Sequence, residues 1–105
     1  MIIQASNETG GALRLTVMAG NLDISNASAF REETTPLVSA STGIVEVDCA
    51  EMEFIDSSGV GALLYLNKLL PAERRPIRLI GVGRKVMTLL ELMHVHRSFE
   101  FEPRS

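Results

Sequence analysis

The chain has 105 residues, 46% hydrophobic and 22% charged, enough for one small globular domain over residues 1–105 and too few for two. That composition excludes wholesale disorder, no uncharged run approaches the roughly 18–20 apolar residues of a membrane span, and the lone Cys49 leaves no internal disulfide or Cys-based zinc site. A net charge of −3, 5% aromatics and no Trp argue against direct nucleic-acid binding, and Met1 to Ser6 lack a secretory leader, so the expected location is the cytoplasm.

Leu13-Arg14-Leu15-Thr16-Val17 alternates with period two and predicts a strand buried on one face, with Ile2-Ile3 pairing beside it through the turn-rich Asn7 to Gly11. After Gly20, Ser25 or Asn26 is placed to cap a helix whose apolar positions are Ala27, Phe30, Thr34, Leu37 and Val38. Pro36 falls inside that pattern and is expected to kink or shorten the helix. Ile44 to Cys49 reads as a strand, followed by an irregular stretch to Asp56. Ser57-Ser58-Gly59 opens a second helix running to about Leu70 and ended by Pro71. Ile77 to Ile80 is a short strand. Arg84 to about His94 is a helix with Val86, Leu89, Leu90 and Met93 on one face, and Ser98 to Phe101 closes as a strand.

The predicted order is β-β-α-β-α-β-α-β, an α/β fold with a mixed sheet of about four or five strands and about three helices. In such sheets function gathers outside the carboxyl ends of strands that feed helices, here Glu53 to Gly61 and Gly81 to Lys85. Charge is unevenly distributed. Residues 1–67 carry nine acids against two bases, Arg14 and Arg31, whereas residues 68–105 carry eight bases against four acids. The base-free run from Glu32 to Asn67 reads either as solvated surface or as an acidic face that docks a basic partner.

Phe54-Ile55-Asp56-Ser57-Ser58-Gly59-Val60-Gly61 is the most informative segment. It sets a carboxylate, two hydroxyls and two glycines at a helix start, where free N–H groups and the positive end of the dipole receive negative charge. The plain alternative is that Asp56, Ser57 or Ser58 is an N-cap, worth about 1 kcal/mol. The helix that follows is apolar almost all round. Leu63, Leu66 and Leu70 are expected inside, and Val60 and Leu64, one turn from the serines, are the candidates for a contact surface.

Gly20-Asn21-Leu22-Asp23 after an early strand, Asp56 to Gly61 opening a helix, and Gly83-Arg84-Lys85-Val86 through Leu92 together resemble the bacterial anti-sigma factor antagonists, which are single STAS domains. The resemblance covers essentially the whole chain, and Asp-Ser-Ser-Gly carries most of its specificity. It implies a binding protein that exchanges partners. The unphosphorylated form would bind an anti-sigma factor that is also a serine kinase of the histidine-kinase-like ATPase fold, and so free a sigma factor. Phosphorylation of Ser57, with Ser58 as the rival site, would end that binding, and a PP2C-type phosphatase would restore it. Asp23, Asp56, Ser57, Ser58, Gly59, Val60, Gly61 and Leu64 are the implied partner-binding residues. No cofactor or metal is implied.

Related STAS domains also serve as constitutive subunits of transport or signalling complexes, where the same serines would only cap the helix. Other chemistry is weaker. Gly81-Val82-Gly83 lacks the third glycine of a dinucleotide fingerprint and reads as a strand-to-helix turn. His94-x-His96 has no completing ligand pair, and Cys49 reads as a buried apolar residue rather than a nucleophile. No Gly-x-Ser-x-Gly elbow supports a hydrolase, so the chain is read as a non-enzyme. The loop from Pro71 to Pro76, rich in arginine, has no assigned role.

Overall fold

The alternation of Leu13, Leu15 and Val17 with Arg14 and Thr16 sets the architecture. In the computed structural model, which describes residues 1–104, the three apolar side chains are buried and the two polar ones lie on the opposite face. Strand β1 (Ile3–Asn7) pairs antiparallel with β2 (Leu13–Val17), and β4 (Val45–Asp48), β6 (Arg78–Ile80) and β7 (Glu100–Glu102) extend the sheet in parallel, in the order β1-β2-β4-β6-β7. Parallel neighbours need crossovers, supplied by helices α1 (Ala27–Ala40), α2 (Ser57–Leu69) and α3 (Arg84–Leu92). Leu15, Val17, Val47 and Leu79 of the sheet meet Phe30 and Val38 of α1 and Leu63 and Leu66 of α2 in one buried core.

The expected mixed α/β fold is thus present, with five strands in the main sheet and three helices. Two further strands were not expected: β3 (Asn21–Leu22) and β5 (Phe54–Ile55), which pair parallel as a separate two-stranded sheet. β1 also runs to Asn7, well beyond Ile2-Ile3.

Pro36 does not shorten α1, which continues to Ala40. Pro36 and Glu32 are both exposed, so the turn that loses an N–H donor lies on the solvent side of the helix. In the same turn the hydroxyls of Thr34 and Thr35 donate to the Phe30 and Arg31 carbonyls, each at 2.7 Å.

On the sheet face away from α1 and α2, Arg14, Glu46, Arg78 and Glu100 fall in register on four adjacent strands. Glu46 accepts from Arg14 Nε at 3.1 Å and lies 3.5 Å from Arg78 Nη1, while Arg78 Nη2 lies 3.6 Å from Glu100. The pairing raises the Arg14 pKa further, chiefly through the hydrogen bond to Glu46. Asp48, also buried, accepts from the Ala50 amide at 3.0 Å and pairs with Arg104 Nε at 3.2 Å. β4 is therefore buried on both faces because its carboxylates are paired there, as buried charge requires.

The arginine-rich loop has a structural role. Arg74 donates to the carbonyls of Ser41 and Gly43 and to the Ser41 hydroxyl at 2.7–3.1 Å, clamping the α1–β4 connection. Arg75 Nε donates to the carbonyls of Asn67 and Leu70, both at 2.8 Å, satisfying the C-terminal end of α2.

Cys49 is buried, and burial first, then the charge of Asp48, pushes its thiol up to about 12. Because the thiolate is the reactive form, a native sample at pH 8 is expected to leave Ellman's reagent unreduced over hours. One equivalent should react at once in guanidinium. Rapid native labelling would contradict this packing. No helix among the described residues is long and apolar enough to cross a membrane.

Candidate partner-docking site

The two segments singled out by sequence, 20–23 and 56–61, are brought together by the small sheet. The Gly20 carbonyl accepts from the amides of Glu53 and Phe54, and β3 and β5 align Asn21 with Phe54 and Leu22 with Ile55. The Leu22 carbonyl then accepts from the Asp56 amide at 3.3 Å. Two-residue strands have little stability of their own, so each holds its shape because the other is beside it.

Asp56 is the N-cap of α2. Its Oδ1 accepts from the Gly59 amide at 2.9 Å, and its Oδ2 accepts from the Ile24 amide at 3.1 Å. One carboxylate thus closes the helix and fastens the 20–26 loop to it. Asp23 organises that loop internally. Its carboxylate accepts from the Ser25 amide and hydroxyl and from Asn21 Nδ2, while Asn26 Oδ1 accepts from the Asp23 amide. Asn26 is the positional cap of α1 but spends its side chain on this turn, not on the helix amides.

The Asp23 carboxyl lies below its ordinary value of 3.8, mainly because the Ser25 hydroxyl donates to it, with the Ser25 amide next. A lowered carboxylate stabilises the folded turn above its unfolded pKa and loses that contribution as pH falls through the folded value. The turn is therefore fully braced at neutral pH.

Gly59 sits against the other loop. A Cβ there would lie 2.1 Å from the Leu22 carbonyl oxygen and 2.8 Å from Ile55 Cγ1. Gly61 differs: its nearest neighbour would be Arg31 Nη2 at 3.4 Å. The two glycines of the motif have separate causes, close backbone approach at 59 and an open helix face at 61.

Ser57 is exposed at the first residue of α2, and Ser58, Asp23, Gly61 and Leu64 are partly exposed around it. Val60 corrects the expectation: it is only 5% exposed and packs in the core, so its side chain is not on this surface. Gly59 is buried as well. Leu63, Leu66 and Leu70 are inside as expected. The outward stripe of α2 is instead Ser57, Gly61, Leu64 and Lys68, with Tyr65 beside it.

Two apolar residues beside these segments are unexpectedly exposed: Ile24, at 77%, on the loop bonded to Asp56, and Phe54, at 45%, which borders a groove with Arg84 and Leu89 of α3. An isoleucine inside a turn of Asn, Asp and Ser was the available signal. The base-free run is not an acidic face as a whole. Glu33 accepts from the Ile2 and Ile3 amides, Glu46 and Asp48 are paired in the sheet, and Asp56 is the cap; Glu32, Glu51 and Glu53 remain exposed.

His94 adopts a positive φ of 58° where α3 ends. Its amide donates to Glu91 and the Val95 amide to Leu90, so its backbone closes the helix. Among the described residues no three His, Cys, Asp or Glu side chains converge as a metal site.

The sequence model described as "Mlab, STAS domain" matches residues 5–101. The anti-sigma-B factor antagonist of Staphylococcus epidermidis is 26% identical over 91 residues, covering 81% of this chain and 84% of that one. Among solved structures, an anti-sigma factor antagonist from Mycobacterium paratuberculosis superposes with a TM-score of 0.83 at 20% identity, over 97% of this chain and 85% of that one. The Bacillus cell fate determinant SpoIIAA in its phosphorylated form superposes with a TM-score of 0.69 at 16% identity, over 98% and 91%.

Proposed function

We propose that this chain, which belongs to the STAS-domain family, works as an anti-sigma factor antagonist switched by a phosphate on Ser57. The family is a non-enzymatic one, so the surface is the functional equipment. The unphosphorylated surface around Asp23, Ser57, Ser58 and Leu64 binds an anti-sigma factor that is also a serine kinase of the histidine-kinase-like ATPase fold. The bound kinase releases its sigma factor, phosphorylates Ser57 and departs, and a PP2C-type phosphatase resets the chain. All of this takes place in the cytoplasm, on one domain that spans the chain.

The observation that carries the reading is the exposed Ser57 hydroxyl at the start of a helix whose cap, Asp56, is tied to the Asp23 loop. A phosphate adds about −1.5 to −2 charge at pH 7. The free surface solvates that charge without refolding. In a docked interface the same charge sits desolvated beside Asp56, and binding fails without any global transition.

Incubating the chain with its cognate kinase and ATP, then mapping by mass spectrometry, tests this. Phosphate is expected on Ser57. Phosphate on neither Ser57 nor Ser58 would sink the switch. That result would favour a second reading, suggested by the Mlab description of the family, in which the chain is a constitutive subunit of a transport or signalling complex. Recovery of an ATPase and permease, rather than a kinase, by pull-down would identify that case.

A further inference from the structure

Arg31 is the only basic residue between Arg14 and Lys68, and the fold returns it to the site. It extends from α1 across α2, with its guanidinium carbon 5.5 Å from the centroid of the Tyr65 ring. Its Nη2 lies 3.4 Å from where a Cβ at Gly61 would be. Ser57, Gly61 and Tyr65 follow one another at helical i, i+4 spacing, so all three share a face of α2 and Arg31 lies over that face. Side chains at such spacing start about 5–6 Å apart, which puts the guanidinium no more than about 9 Å from the Ser57 Cβ. Gly61, lacking a side chain, places none between them.

Unlike Arg14, Arg78 and Arg104, Arg31 has no carboxylate partner among the described residues. Unlike Arg74 and Arg75, its guanidinium bonds no backbone carbonyl among them. It is exposed and held only by the aromatic ring, which fixes its direction and leaves its N–H fork free. A free, directed guanidinium suits a phosphomonoester, which it grips through two parallel N–H bonds. Asp56, the carboxylate next to Ser57 in the chain, already has both oxygens engaged by the Gly59 and Ile24 amides.

We propose that Arg31, braced on Tyr65, receives the phosphate on Ser57 within the same chain. Its guanidinium swings from over Gly61 to the phosphate oxygens, so the phosphorylated surface differs from the free one in the position of a cation as well as in added negative charge. The proposal rests on Ser57 as the modified residue, but it can be tested apart from any kinase.

Phosphoserine is installed at position 57 during synthesis by codon reassignment, and its second ionisation is followed by phosphorus NMR against pH. The phosphate should titrate about half a unit or more lower in the otherwise unchanged chain than in R31A, because a nearby cation favours the dianion. R31K, which keeps the charge but not the fork, should fall between them. K68A, a cation removed near the far end of the same helix, should titrate like the parent. Superimposable curves for the parent and R31A would overturn the proposal, as would a K68A shift equal to that of R31A. If the titration behaves as expected while kinase mapping finds no phosphate on Ser57, the functional reading fails and the receptor geometry stands. The opposite pair of results separates them the other way.

Discussion

Gly59→Ala is expected to lower the unfolding free energy by about 3 kcal/mol, the upper range for overpacking, because the added carbon collides with backbone. The clash at 2.1 Å is with the Leu22 carbonyl oxygen, and that carbonyl also accepts the Asp56 amide. Relief therefore means parting β3 from β5 or tilting the start of α2. Neither is a local adjustment, since Asp56 would lose Ile24 or Gly59 as the loops separate. Gly61→Ala is the internal control. Its Cβ would meet only the far end of the Arg31 side chain, at 3.4 Å, and replacing glycine by alanine in a helix stabilises by roughly 0.5–1 kcal/mol. Urea unfolding of the two variants should move the midpoint in opposite directions. Equal midpoints would show that the loops do not approach as closely as described.

Ser57→Asp should weaken binding to the cognate anti-sigma factor kinase roughly 10- to 100-fold, or about 1.4–2.8 kcal/mol, whereas Ser57→Ala should stay within a factor of about three. The hydroxyl itself makes no contact that the fold depends on: the cap is Asp56, and position 57 is exposed. Alanine therefore removes the modifiable oxygen and leaves the docking surface in place. Aspartate adds one charge beside the Asp56 carboxylate, so its effect is a lower bound on that of the phosphate dianion. Isothermal titration of both variants against the kinase decides it. Equal affinities would contradict charge as the agent of release.

The main elements were legible because their patterns are long. Five alternating residues declare β2, and spaced apolar residues declare α1 and α3. β3 and β5 are not legible in the sequence because two residues carry no periodicity and become strands only by meeting a partner more than thirty positions away. For α2 the sequence could place Leu63, Leu66 and Leu70 inside but could not orient a helix that is apolar nearly all round. Which way Val60 points is set by the small sheet beneath the helix start, a tertiary fact. The sequence leaves the acidic run open between solvated surface and docking face for a related reason: distance along the chain does not report distance in space. Arg14, Arg78 and Arg104 reach into that run from outside it, and Arg31, at one border, is carried over residues near the other, Gly61 and Tyr65. Asp56, either cap or functional group on its sequence alone, is a cap whose second oxygen assembles the surface.

The bond from the Ile24 amide to Asp56, thirty-two residues along the chain, has a consequence for when the chain becomes recognisable. Half of the epitope is made early in synthesis and half much later, and neither half is shaped until the later segment has docked on the earlier one. A nascent, misfolded or proteolytically cut chain carries the serine without the epitope. On the proposed reading, the kinase inspects the maturity of its substrate in the act of binding it, and only correctly folded copies enter the regulatory pool. Short peptides spanning residues 54–64 should accordingly be poor kinase substrates, even though they contain every atom that is modified.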